Sequence, residues 1–220
     1  MFDHQTISML AKETWTTIYM TLASTTLAYA LGLPMGIALV LTAPDGLKPN
    51  AVIYKVLDFI VNIVRSVPFI ILLIMLMPFT KLIVGKSYGP TATVVPLTIA
   101  AAPFIARLVE SSLLEVDKGV IEAAQSMGAG TWHIVWKVFL AEARVSLIVG
   151  GTIALATILG YSAMSGAVGG GGLGDVAIRY GYHRYQVDIM MITVVLLVVL
   201  VQVMQYIGTK ISKKMDKRNR

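Results

Sequence analysis

The chain has 220 residues, of which 56% are hydrophobic and only 14% charged, with a mean hydropathy of +0.77. It is too apolar for a soluble domain of this length, and with no cysteine it has neither disulfides nor thiolate chemistry nor thiolate metal sites. The net charge of +6 does not argue for nucleic acid, because Lys210, Lys213, Lys214, Lys217, Arg218 and Arg220 crowd the C-terminus. Such a tail sits beside anionic lipid headgroups and fixes orientation.

A helical span needs about 20 apolar residues. Five windows meet or nearly meet this: Thr14 to Pro44, Phe59 to Thr80 (interrupted by Arg65), Ser87 to Ala106, Val145 to Gly174, and Ile189 to Thr209. The first is far longer than a cleavable leader's apolar stretch, so no signal peptide is expected. Residues 1–13 carry Asp3, Lys12 and Glu13, a weak and slightly acidic start. With that segment outside, twelve Lys and Arg fall on the cytoplasmic side and five on the other. The expectation is an all-α polytopic membrane protein with five transmembrane helices, N-terminus out and C-terminus in. Residues 1–13 are then extracytoplasmic, 14–209 the membrane domain, and 210–220 a basic cytoplasmic tail.

The first window carries Gly32, Pro34 and Gly36, which predict a kink or a close packing site. A turn at Pro44, Asp45, Gly46 and Pro49 follows. Asp58, Asn62 and Arg65 then recur at i, i+4 and i+7 on one helix face. Arg65 is expected near the cytoplasmic boundary, either snorkelling to headgroups or serving a functional role. Pro96 and Pro103 lie seven apart, on about one face of the third span. Arg107 and Glu110 read as a surface i, i+3 pair at its rim.

The cytoplasmic loop from about Arg107 to Arg144 is the longest, and loops of that length are usually functional. A short helix is expected in it, capped by Asp117 and stopped by Gly128. Ala123 and Ala124 keep its surface low for a partner's approach, and Glu122 can reach a partner's cation. The plain alternative is an amphipathic helix lying on the membrane. Trp132 to Leu140 forms a second amphipathic run. In the fourth span Gly150, Gly151, Ala154, Ala156 and Gly160 suit tight packing. Gly169, Gly171 and Gly174 formally match GxGxxG, but no strand precedes them, so a flexible outer turn is expected rather than a nucleotide site. Tyr180, Tyr182 and Tyr185 predict an interfacial belt.

No catalytic constellation emerges. His4, His133 and His183 lack metal-ligand spacing, no phosphate-binding loop is present, and no carboxylate relay crosses the spans.

Glu122-Ala123-Ala124, three residues, then Gly128 and, further on, Leu140 resemble the signature of the membrane permease subunits of binding-protein-dependent ABC importers. Val138 stands where that signature has Ile, and Ala141 where it has Pro. The segments RSVPFIILLIML (65–76), PLTIAAAPFIARLVE (96–110) and GYSAMSGAVGGGGLGD (160–175) resemble the D,L-methionine branch of that family. The resemblance implies a type-1 importer membrane domain, multi-pass in the cell inner membrane, with a coupling helix between spans three and four. It implies that Glu122, Ala123, Ala124, Gly128 and Leu140 couple the chain to a separate ATPase. Tyr161 and Met164, near the outer end of the fourth span, are candidates for an outer gate, with lipid or helix packing as the alternative. The implied partners are a second copy of the chain, two ATPase subunits holding ATP and Mg, an extracytoplasmic binding protein, methionine and membrane lipid. The chain itself then needs no cofactor or metal and is a transport subunit, not an enzyme. Alternatives are a permease for another small amino acid or sulfur compound, or a membrane scaffold or enzyme. The twelve methionines do not bear on the substrate, since Met is a flexible apolar filler.

Overall fold

The computed structural model describes residues 4–216, all of them in helices, turns or short connections. Asp3 of the N-terminal segment and Lys217, Arg218 and Arg220 of the tail lie outside the described residues. Eleven α-helices are found among those described: α1 (His4–Thr42), α2 (Ala51–Ser66), α3 (Phe69–Met75), α4 (Met77–Val84), α5 (Pro90–Leu114), α6 (Lys118–Ser126), α7 (Thr131–Ile134), α8 (Leu140–Glu142), α9 (Arg144–Ser165), α10 (Gly172–Val176) and α11 (Val187–Met215). A π-helical turn, Val135–Phe139, joins α7 to α8. α1, α5, α9 with its following turn, and α11 are each long and apolar enough to cross a bilayer.

The second apolar window is not one straight helix. α2 and α3 meet at 103°. Pro68 has no N–H to donate and disfavours helical backbone at the residue before it; Val67 accordingly adopts φ −81° and ψ 126°. Hydropathy sees the apolar run through this point but not the corner in it.

α5 forms the centre of the bundle. Pro96 and Pro103 are both buried within it, and it continues past Arg107 and Glu110 to Leu114, well beyond the expected end of its window. α1 packs along it through Gly32 and Gly36. A Cβ at Gly32 would lie 2.7 Å from the Ala102 carbonyl oxygen, and one at Gly36 2.6 Å from that of Ala106. Only hydrogen at these positions lets the two backbones approach so closely. Pro34 faces outward and leaves α1 unbroken. Tyr29 ties α1 to α9 by donating to the Leu147 carbonyl at 3.1 Å.

The glycine run Gly169–Gly172 is held rather than free. The Gly172 N–H donates to the Glu13 carboxylate at 2.9 Å and the Leu173 N–H to Thr17 Oγ1 at 2.8 Å. From the other side the Gly89 N–H donates to the Gly169 carbonyl at 3.0 Å. The run is thus a clamp between the start of α1 and the start of α5. It offers no room for a phosphate, because a Cβ at Gly172 would already meet Thr17 Oγ1 at 2.6 Å.

Candidate functional site

Two regions gather the residues singled out by the sequence. The first is α6 at one end of the bundle. The Asp117 carboxylate caps it, accepting from the Gly119 N–H at 2.7 Å. Its far end closes with Gly128 at φ +80°. The Gly128 N–H donates to the Gln125 carbonyl at 2.9 Å and the Ala129 N–H to that of Ala124 at 3.0 Å, the paired bonds of a Schellman turn. A side chain at Gly128 would strain the backbone, although nothing lies close enough to clash with it.

The two alanines of α6 divide. Ala124 is buried and packs against the chain's own core with Ile134, Val135 and Phe139, whereas Ala123 and Glu122 are exposed. The low surface expected of both alanines therefore belongs to Ala123 alone, since Ala124's small size is used inside. Apolar surface frames this end of the bundle: Met127 is 82% exposed, Trp132 68% and Trp136 62%. Apolar side chains this open on a polar loop mark a contact surface. Leu140 is half-buried against the core cluster. It sits where the helix from Thr131 runs through its π-turn into α8 and, after one turn residue at Ala143, into α9. Ala141, which stands where the family signature has Pro, permits that continuity.

The second region lies against the middle of α5. Tyr161 of α9 stacks on Phe69 of α3, ring centroids 4.5 Å apart and planes within 5°. Both line a cavity of about 160 Å³ whose wall includes Arg65, Leu72, Ala100 and Phe104. Met164, one turn beyond Tyr161, is 53% exposed. Ala100 and Phe104 fall in the middle third of α5, and Arg65 borders the same cavity with its side chain exposed. Below it on the same face of α2, Asp58 and Asn62 both accept hydrogen bonds from Arg107, which also donates to Glu110 at 2.6 Å. The Arg107–Glu110 pair is thus no surface pair. Its side chains are only 22% and 12% exposed, and Asp58 completes it from another helix. The repeat of Asp58, Asn62 and Arg65 carried the signal for this network, but its partner is 45–49 residues away.

Among the described residues no three His, Asp or Glu side chains come together as a metal site would need. Residues 30–217 match the family described as "Binding-protein-dependent transport system inner membrane component". The chain belongs to this family. It is therefore a multi-pass inner-membrane transport component, not an enzyme. Over 210 residues it is 52% identical to the "Probable D-methionine transport system permease protein MetI" of Vibrio cholerae, covering 96% of this chain and 93% of that one. It is 49% identical over 158 residues to the D-methionine transport system permease protein MetI of Escherichia coli, covering 72% of this chain and 73% of the relative. Among solved structures, a chain from "Inward facing conformations of the MetNI methionine ABC transporter" superposes with a TM-score of 0.97 at 46% identity, covering 98% of this chain and all of that one. An amino acid ABC transporter at 21% identity and a TM-score of 0.72 shares the fold.

Proposed function

We propose that this permease is the membrane subunit of an ATP-driven importer of methionine, working as a homodimer whose two copies enclose the pathway. The observation that carries the reading is the match, over 98% of the chain at 46% identity, to a subunit of a methionine ABC transporter. In this reading α1, the bent α2–α3 pair, α5, α9 and α11 are five spans, with the N-terminus outside and the C-terminus inside. The excess of Lys and Arg on the α6 side and in the tail supports that orientation. Residues 14–209 are then the membrane domain.

α6 is the element gripped by a separate ATPase, which binds the ATP and Mg. Glu122 and Ala123 supply the contact face. Ala124 and Leu140 seat α6 on the spans, and Gly128 turns the chain back toward them. Closure of the paired ATPases presses on α6 and rocks the spans between inward- and outward-open states, a rigid-body transition. An extracytoplasmic binding protein delivers the amino acid past an outer gate at Tyr161 and Met164.

The test is reconstitution into vesicles with the co-purifying ATPase, reading radiolabelled methionine uptake with and without the binding protein. Uptake that needs both partners is the expected result. Ala123→Trp should abolish ATPase co-purification while the protein still inserts. Uptake of another amino acid or sulfur compound in place of methionine would replace the substrate assignment, and undisturbed co-purification of Ala123→Trp would remove α6 from the contact.

A further inference from the structure

Arg65 is the charged residue of the cavity, and the importer reading gives it no role. Among the described residues it has neither an ion pair nor a hydrogen bond, while the acids on its own helix face and on α5 are already taken by Arg107. The cavity around it offers no carboxylate: the rest of the wall is aliphatic or aromatic, with Phe69, Phe104 and Tyr161 its rings. Arg65 is exposed at the cavity's edge, and Tyr161 across it stands seventeen residues from the start of α9 at Arg144, about 25 Å at the helical rise. The carbonyl end of α2 favours a cation at Arg65, but a lysine would serve that purpose equally well. An ionisable side chain at this depth that faces a cavity marks a path for something that crosses.

We propose that Arg65 and the aromatic wall form a transit site for an α-amino acid with a thioether side chain. The guanidinium takes the carboxylate in a two-pronged hydrogen bond, the geometry that separates Arg from Lys. The faces and edges of Phe69, Tyr161 and Phe104 take the thioether, for which aromatic rings are favourable neighbours. The stacked pair fixes one ring of that wall, so the site is partly formed before the ligand arrives. Arg65 sits at the α2–α3 corner, where a change in the 103° bend would alter its distance from Tyr161. The proposal rests on the importer reading and names what its pathway recognises.

The experiment reconstitutes permease, ATPase and binding protein with wild-type Arg65, Arg65→Lys or Arg65→Gln, and reads methionine import and ATP hydrolysis in the same vesicles. Arg65→Gln should respond to loaded binding protein with normal hydrolysis but import roughly tenfold to a hundredfold less methionine per ATP, the loss expected for one charge-assisted contact. Arg65→Lys should fall between. The deficit should be equal in neutral phosphatidylcholine vesicles and in vesicles enriched in phosphatidylglycerol. Wild-type import per ATP in Arg65→Gln overturns the site. A deficit confined to the anionic vesicles assigns the guanidinium to lipid phosphate instead. Failure of either variant to assemble with the ATPase makes Arg65 a structural residue and also overturns it. A wild-type complex that imports no methionine overturns the importer reading itself, a result distinct from all of these.

Discussion

α5 and α11 are both apolar helices of bilayer length, yet they do opposite jobs. α11 is the more hydrophobic, at a mean hydropathy of 2.7 against 1.8, but only 6% of its apolar window is buried against 72% for α5. In water the greasiest segment goes to the core. In lipid the tails are as apolar as leucine, so hydropathy no longer sorts inside from outside. What sorts it is size and shape. The buried face of α5 sets Ala92, Ala101, Ala102 and Ala106, where backbones can close on one another, between larger side chains such as Leu97, Ile105 and Val109. α11 turns Val194, Val195, Val198, Val199 and Val203 outward.

The sharpest way to break this contrast is to set one leucine against the buried face of α5 and another on the outward face of α11. Gly36→Leu drives a side chain into α5, where even a Cβ meets the Ala106 carbonyl oxygen at 2.6 Å and Val109 at 2.7 Å. A loss of about 3 kcal/mol or more is expected, with little protein recovered from detergent extraction. Val198→Leu on α11 should leave yield and melting temperature unchanged. If Gly36→Leu accumulates normally, the α1–α5 seam is not the axis of the fold.

The next largest effect concerns polar groups at the α2–α5 contact. Asp58→Ala leaves Arg107 with Glu110 and the neutral Asn62, and about 1–2 kcal/mol should be lost for a partly buried charged contact of this kind. A double-mutant cycle with Arg107→Ala, read by thermal unfolding, should return a clear coupling energy. Additive losses would mean that the network does not fasten α2. Smaller again is Gly128→Ala. It meets no neighbour but must hold φ +80°, for about 1 kcal/mol of strain. Its melting temperature should fall slightly, and any larger fall would show that α6 is packed more tightly than its exposed Gly128 implies.

These effects also mark what the sequence could reveal. The caps of α6 were legible because Asp117 and Gly128 act on backbone within a few residues of themselves. The apolar windows were legible because a bilayer demands length. The corner at Pro68 was not, since hydropathy carries no direction. Nor was the inward turn of Ala124, because a two-turn helix offers too few residues to tell its own body from a partner's. The glycine run looked flexible by composition. Its fixity comes from Glu13 and Thr17, more than 150 residues away in the chain. The segments that line the Arg65 cavity stood out by resemblance, but the cavity itself was illegible, because α2, α3, α5 and α9 each supply one wall.

The mildest test grades the seams of α1 against each other. On its α5 side α1 relies on missing side chains; on its α9 side it relies on one hydroxyl, Tyr29 donating to Leu147. That carbonyl belongs to helical backbone, so removing the donor leaves no orphan acceptor. Tyr29→Phe should therefore cost only about 0.5 kcal/mol, the usual worth of one interhelical hydrogen bond in a bilayer. Gly151→Ala, whose Cβ would lie 3.0 Å from the same hydroxyl, should match it by pushing the ring aside. Thermal unfolding of the two single variants and their combination separates the cases. Losses that fail to add place both effects in the one contact. A loss for Tyr29→Phe as large as that for Gly36→Leu would move the fold's organising seam from α5 to α9.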